Sequence, residues 1–286
     1  MRAIPVIVGY ALRESLRRRV FVVVLVLTAL FLGLYAWGSS EAFEDVDAFV
    51  AGNGDPFVDT RTLAGATLFG LSMFATLFLG TVLAIFLTLG VVRGDAERGL
   101  LQPLVVRPIG RSTLLLARFL GAAAVCAAYV LAVYGASMLI THATGGWWPD
   151  RFLAPGFGLA AAVAIIAAIS LVGSVFLNST ANGIAVFMVV GAGLVAGLLG
   201  QVGEALQSST LESVATYTSW ALPFEALYQD GLSAITADTE GLTKVIVELG
   251  PFGGAQDASP LLWLWAAGYV SLLALAAGAG FARRDL

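Results

Sequence analysis

The sequence predicts an all-α integral membrane protein with six transmembrane helices, and three observations carry that prediction. First, 59% of the 286 residues are hydrophobic and only 12% are charged, with a mean hydropathy of +0.90. Soluble domains sit nearer half apolar and a quarter charged. Second, six apolar stretches, 20–37, 66–92, 114–140, 156–177, 183–200 and 261–282, reach the roughly 20 residues that a helix needs to cross a bilayer. Third, the basic residues recur on alternate sides of these stretches. Twelve of the 15 arginines and lysines lie in the N-terminal segment, in region 93–118 and in the last residues, whereas 15 of the 19 acids lie in the other loops. Cytoplasmic loops are the ones enriched in Arg and Lys, so both termini and the 93–113 loop are expected on the cytoplasmic side of the cell membrane. Six spans leave no room for a large soluble domain, and residues 1–286 read as a single transmembrane domain.

Residues 3–19 suit an interfacial helix. Val8, Leu12 and Leu16 share one side at helical spacing, while Arg13, Arg17 and Arg18 occupy the rest and would attract anionic lipid. A basic extension of the first span is the plainer alternative. No small-residue cleavage site precedes the acidic loop, so the first span is expected to stay in place.

Span 20–37 ends in Tyr35 and Trp37, residues that favour the interface. The outer loop 38–64 carries Glu41, Glu44, Asp45, Asp47, Asp55 and Asp59, without the spacing of a calcium loop. Span 66–92 leads into the charged island 93–113. There Ala96 to Val106 reads as a short amphipathic helix interrupted by Pro103. Pro108 to Arg111 reads as a turn, and Ser112 as the cap of the next helix. Topology alone explains arginines in such a loop, but not this order of acid, helix, proline turn and capped helix.

Span 114–140 holds Arg118 one turn inside its inner end, close enough to snorkel. It also holds Cys126, a lone thiol without an intramolecular partner. His142 reads as an interfacial polar residue and Trp147-Trp148 as an interface anchor. Span 156–177 joins span 183–200 through the uncharged turn Asn178 to Asn182. Gly193 and Gly197 form a GxxxG pair, which in a chain with 33 glycines carries little weight. The largest outer segment, 201–260, contains three short helix candidates, Glu204 to Val214, Pro223 to Ala234 and Leu242 to Leu249, and is expected to fold against the outer membrane surface. Span 261–282 ends at Arg283-Arg284.

The island resembles the cytoplasmic loop of type-2 permeases of ATP-binding cassette (ABC) exporters, the ABC-2 permease family. Glu97, Gly99, Leu100, Leu104, Arg107-Pro108 and Arg111 occupy the places of that family's acid, coupling helix, Arg-Pro turn and following basic residue. Pro103 departs from its leucine-rich helix. The basic N-terminal helix, the six spans and the Phe281-Ala282-Arg283-Arg284-Asp285-Leu286 tail extend the resemblance along the chain. The resemblance implies an N-terminal elbow helix bearing Arg13, Arg17 and Arg18, and a cytoplasmic coupling helix that docks in a groove of a separate ATPase. Glu97 opens that helix. Leu100, Leu101 and Leu104 would be its apolar anchor, and Arg98, Arg107 and Arg111 would complement charge beside the Pro108 turn. It also implies two ATPase subunits, a second permease subunit in a homodimer, and a pathway lined mainly by spans two and five.

The chemistry absent from the chain agrees with that division of labour. No GxxxxGK[ST] occurs and the only lysine is Lys244, so no phosphate loop exists and ATP with magnesium would belong to the partner. No cofactor or metal is expected on this chain, and no nucleic acid. A lone histidine excludes HExxH zinc chemistry, and Ser137 with His142 is a poor start for a serine protease. An intramembrane protease is therefore remote and the chain is not expected to be an enzyme. Apart from Arg118, no span carries a charge, which argues against a proton-driven carrier. A sodium-coupled carrier built of backbone and hydroxyls and a non-transporting scaffold are the alternatives to a permease. The polar groups within spans are Ser72, Thr76, Thr81, Thr88, Ser137, Ser170 and Ser174, each more often a packing hydroxyl than a substrate contact. The weakly polar lining suits lipids, drugs or hydrophobic peptides and identifies none of them.

Overall fold

The computed structural model describes residues 19–53, 58–89, 111–248, 259 and 261–282. Among them the chain forms nine helices and no strand: α1 (Arg19–Asn53), α2 (Thr60–Thr88), α3 (Arg111–Gly145), α4 (Leu153–Phe176), α5 (Ser179–Ala205), α6 (Ser209–Ala221), α7 (Pro223–Ala234), α8 (Gly241–Glu248) and α9 (Leu261–Ala282). Six of these, α1 to α5 and α9, are long and apolar enough to cross a membrane. The expected elbow helix lies outside the described residues, and so do all but the last three residues of the coupling island.

Helices α2 and α4 are the buried centre of the bundle, while α1 and α9 leave most of their apolar surface uncovered. The order of burial follows from packing. α2 lies against α1, α3 and α4, and α4 against α2, α3, α5, α7 and α9. Phe69 of α2 is fully buried, with its ring 5.2 Å from Tyr134 and 6.1 Å from Trp147. At Gly80 the helices approach so closely that a β-carbon would lie 2.9 Å from both Val130 and Val163. Two hydroxyl pairs tie α1 to α3, Thr28 with Tyr129 and Tyr35 with Thr141, each at 2.5 Å.

Local chemistry sets several boundaries. Asp59 caps α2 by accepting from the backbone N–H of Arg61 and Thr62, both at 3.1 Å, and from the Thr62 hydroxyl at 2.6 Å. Burial alone would raise its carboxyl, but these bonds and the Arg61 charge outweigh burial and hold it below its ordinary value. After α3, Gly146 adopts φ +65° and its N–H donates to His142 at 2.8 Å, the left-handed termination that glycine permits.

Three features depart from the sequence reading. α1 continues through the acids at 41–47 to Asn53, so most of the expected outer loop is helix; 35 residues at about 1.5 Å rise overshoot a bilayer. Trp147 is buried on Phe69 and Gly65 rather than anchored at an interface, whereas Trp148 is exposed and stands edge-on to His142 with centroids 4.9 Å apart. Glu204 belongs to α5, not to the start of the next short helix.

Candidate functional site

Of the residues assigned to ATPase coupling, Glu97, Arg98, Leu100, Leu101, Leu104, Arg107 and Pro108 lie outside the described residues, as do Arg13, Arg17 and Arg18 of the elbow. Arg111 is the first residue of α3. The structure does describe the frame that carries the island: α2 enters it after Thr88 and α3 leaves it at Arg111.

Immediately before the island, three helices share one polar tie. The Thr88 hydroxyl of α2 lies 2.6 Å from Ser170 Oγ of α4. Asn182 of α5 donates through Nδ2 to the Ser170 carbonyl at 2.9 Å. Its Oδ1 presses on Gly173, where any β-carbon would collide with it. Ser170 and Asn182 are completely buried and Thr88 nearly so. Ser72, Thr76, Thr81, Ser137 and Ser174 are buried too. Ser72, Thr76 and Ser174 donate to carbonyls of their own helices, while Thr81 and Ser137 have no partner among the described residues. They behave as packing groups.

At the opposite end of the bundle, α7 is held inside the helix assembly. It packs chiefly on α4 and also touches α5, α6 and α9. Its far end is pinned by the α3–α4 loop: the Asp150 and Arg151 N–H groups donate to the carbonyls of Ile235 and Ala234 at 3.2 and 3.3 Å, and the Asp238 N–H donates to the Asp150 carboxylate at 2.9 Å. Its near end brings Glu225 into the bundle with only 4% of its surface exposed. The Gln229 amide hydrogen-bonds its carboxyl. Burial pushes Glu225 up to about 7, with the Gln229 bond pulling the other way. Burial, then the Glu225 charge, raises the neighbouring Tyr228 phenol.

The glycine pair of α5 is the seat of this turn. A β-carbon on Gly193 would meet the Phe224 ring, 2.7 Å from Cζ, and one on Gly197 would collide with Glu225 Oε1 and lie 2.8 Å from Gln229 Nε2. The sequence reading passed over both Glu225 and Asn182. For Glu225 a signal existed: Pro223 in the first turn starts a helix, and Phe224, Leu227, Tyr228 and Leu232 give it a buried apolar face. Nothing in the sequence distinguished Asn182 from its turn neighbours.

Among the described residues no three His, Cys, Asp or Glu side chains converge as metal ligands. Cys126 is free and buried in α3. The arrangement is a bundle of apolar spans, cross-tied at both ends. Residues 6–286 match the family described as ABC-2 family transporter protein.

The chain belongs to the ABC-2 transporter family.

It is accordingly a multi-pass membrane protein and the transmembrane permease part of an ABC transporter, a family that works with an ABC ATPase subunit. No match was found among curated proteins.

Proposed function

We propose that this ABC-2 protein is the permease subunit of an ATP-driven exporter in the plasma membrane, coupled to its ATPase through the 93–113 loop. The observation that carries the reading is the family match along nearly the whole chain, joined to the order of acid, leucines and Arg-Pro turn in that loop. Two copies of the chain pair with two ATPase subunits, and ATP with magnesium is bound by those partners. Both termini are cytoplasmic in this reading, which the arginine distribution supports.

In this reading Glu97 opens the coupling helix, and Leu100, Leu101 and Leu104 seat it in the ATPase groove. Arg98, Arg107 and Arg111 supply charge beside the Pro108 turn, and Arg13, Arg17 and Arg18 hold the elbow at the lipid surface. Closure of the ATPase pair displaces the loop, and α2 and α3 receive that displacement first because they flank it. The Thr88–Ser170–Asn182 tie supports its passage to α4 and α5. The two access states must differ in their contacts with ATPase and cargo for ATP to favour one of them.

The test is purification of the tagged full chain in mild detergent, with ATPase assay of what accompanies it. A co-purifying ATPase is expected, and Glu97→Ala with Arg107→Ala should abolish its coupling while membrane insertion persists. Undiminished transport in the double variant would remove the loop from the mechanism. A partner-free protein across several detergents would favour a scaffold or an ion-coupled carrier.

A further inference from the structure

Among the described residues, two buried oxygen atoms of α7 lack hydrogen-bond partners, and both belong to one pair of side chains one helical turn apart: Oε1 of Glu225 and Oε1 of Gln229. An ionised carboxylate and an amide carbonyl are both acceptors, so neither can satisfy the other. A single proton changes that. A neutral carboxyl donates its O–H to the Gln229 carbonyl, while the Gln229 N–H₂ donates back to the remaining carboxyl oxygen. The result is a two-bond acid–amide pair that leaves neither group orphaned.

The surroundings favour that proton. An isolated buried carboxylate is costly unless a cation pairs with it, and among the described residues burial and the Gln229 bond alone set the balance at Glu225. Of the four helices packed on α7, α4 carries no titratable residue and α9 only Tyr269. α6 carries Glu212 and Tyr217, and α5 carries Glu204, two turns beyond Gly197. Glu212, Tyr217 and Tyr269 do not contribute to the balance at Glu225, and neither do Asp150 and Arg151 of the α3–α4 loop at the far end of α7. On α7 itself Asp230 lies five residues on, and Tyr228 is the titratable group that senses the Glu225 charge. Glu225 sits in the first turn of α7, where the helix dipole gives an anion partial support; desolvation nevertheless dominates. The carboxyl also has no room to swing toward α5, because Oε1 is already against Gly197.

We propose that Glu225 is a proton-binding site: in the protonated form it pairs with Gln229 and seats the first turn of α7 on Gly193 and Gly197 of α5, and loss of the proton to solvent water releases that seat. The bound species is a proton alone, and no bond other than O–H forms or breaks. The site makes contact between the 201–260 segment and the fifth span dependent on pH, whichever cargo the protein carries.

Hydrogen exchange of the α7 amides tests this on the full-length chain in lipid nanodiscs, after correction for intrinsic base catalysis. Protection is expected to fall with rising pH, approaching tenfold per unit between about pH 5 and 7, and to level off above. Glu225→Gln should keep α7 protected throughout that range. Gly197→Ala, whose methyl occupies the space of the carboxyl, should leave α7 poorly protected at every pH. A wild-type profile without pH dependence overturns the proposal, and so does an equal fall in Glu225→Gln. Should Glu225→Gln fail to insert, infrared difference spectra of the wild type decide. A protonated-carboxyl stretch that disappears as pH rises through about 7 supports the site, and its absence overturns it.

Discussion

Helix α5 is fastened at both ends in the same geometric manner and by opposite chemistry. At the end beside Thr88 of α2, its own Asn182 presses on Gly173 of α4; at the other end, Gly197 receives Glu225 of α7. Each contact places a polar side chain where a β-carbon would otherwise lie. Asn182 is neutral at every pH and its amide donates to a buried carbonyl at 2.9 Å. Each joint leaves one oxygen without a partner among the described residues, Oδ1 of Asn182 and Oε1 of Glu225, and only Glu225 is ionisable. A buried amide therefore makes a permanent joint, whereas a buried carboxyl makes one that depends on its proton.

The largest expected effect breaks both joints. Gly173→Leu and Gly197→Leu each overpack a filled contact and displace a buried polar group, costs that together come to about 3–5 kcal/mol. The thermal midpoint of the detergent-solubilised chain should fall sharply in each. A midpoint unchanged in Gly197→Leu would show that α7 does not need its seat on α5.

A second experiment separates the two chemistries by comparing Asn182→Ala and Glu225→Gln with the wild type across pH. The folded protein raises Glu225 from its ordinary 4.5 to about 7. The native state thus holds a proton that the unfolded chain has lost. That contribution is complete below about pH 4.5 and is lost as pH rises through about 7, a change of roughly 3 kcal/mol in wild type that Glu225→Gln should abolish. Asn182→Ala should cost about 1–2 kcal/mol and by the same amount at each pH. A pH-dependent penalty in Asn182→Ala would erase the distinction between the joints.

The smallest effect is expected at the ion pair of Arg61 with Asp47, 2.5 Å apart and with both side chains about half exposed. Asp47→Asn should change stability by less than about 1 kcal/mol, and added salt should shrink even that. A larger change would make this surface contact a third fastening, between α1 and α2.

Much of the architecture was legible because a bilayer imposes a one-dimensional rule. Length and apolarity mark the spans without knowledge of which helix touches which. The rule fails where a helix outruns the membrane, and α1 runs on through Glu41, Glu44, Asp45 and Asp47 because charged residues beyond the bilayer do not end a helix. It fails as well for side chains whose environment comes from distant residues. Trp147 looked like half of an interface pair until Phe69 and Gly65 of α2 covered it. The GxxxG pair of α5 carried little weight in the sequence, and its occupant is the first turn of α7. Glu225 lay among the acids of an outer segment, and no local pattern brings it against α5.

By itself, the sequence determined the six apolar spans, the asymmetry of charge across them and the ordered motif of the 93–113 loop, because each depends on residues close together in the chain. Tertiary structure alone decided that α2 and α4 form the centre, that Thr88, Ser170 and Asn182 join three helices, and that Glu225 is buried between helices. Those outcomes depend on which surfaces meet, and a carboxyl's affinity for a proton follows from what surrounds it rather than from its neighbours in sequence.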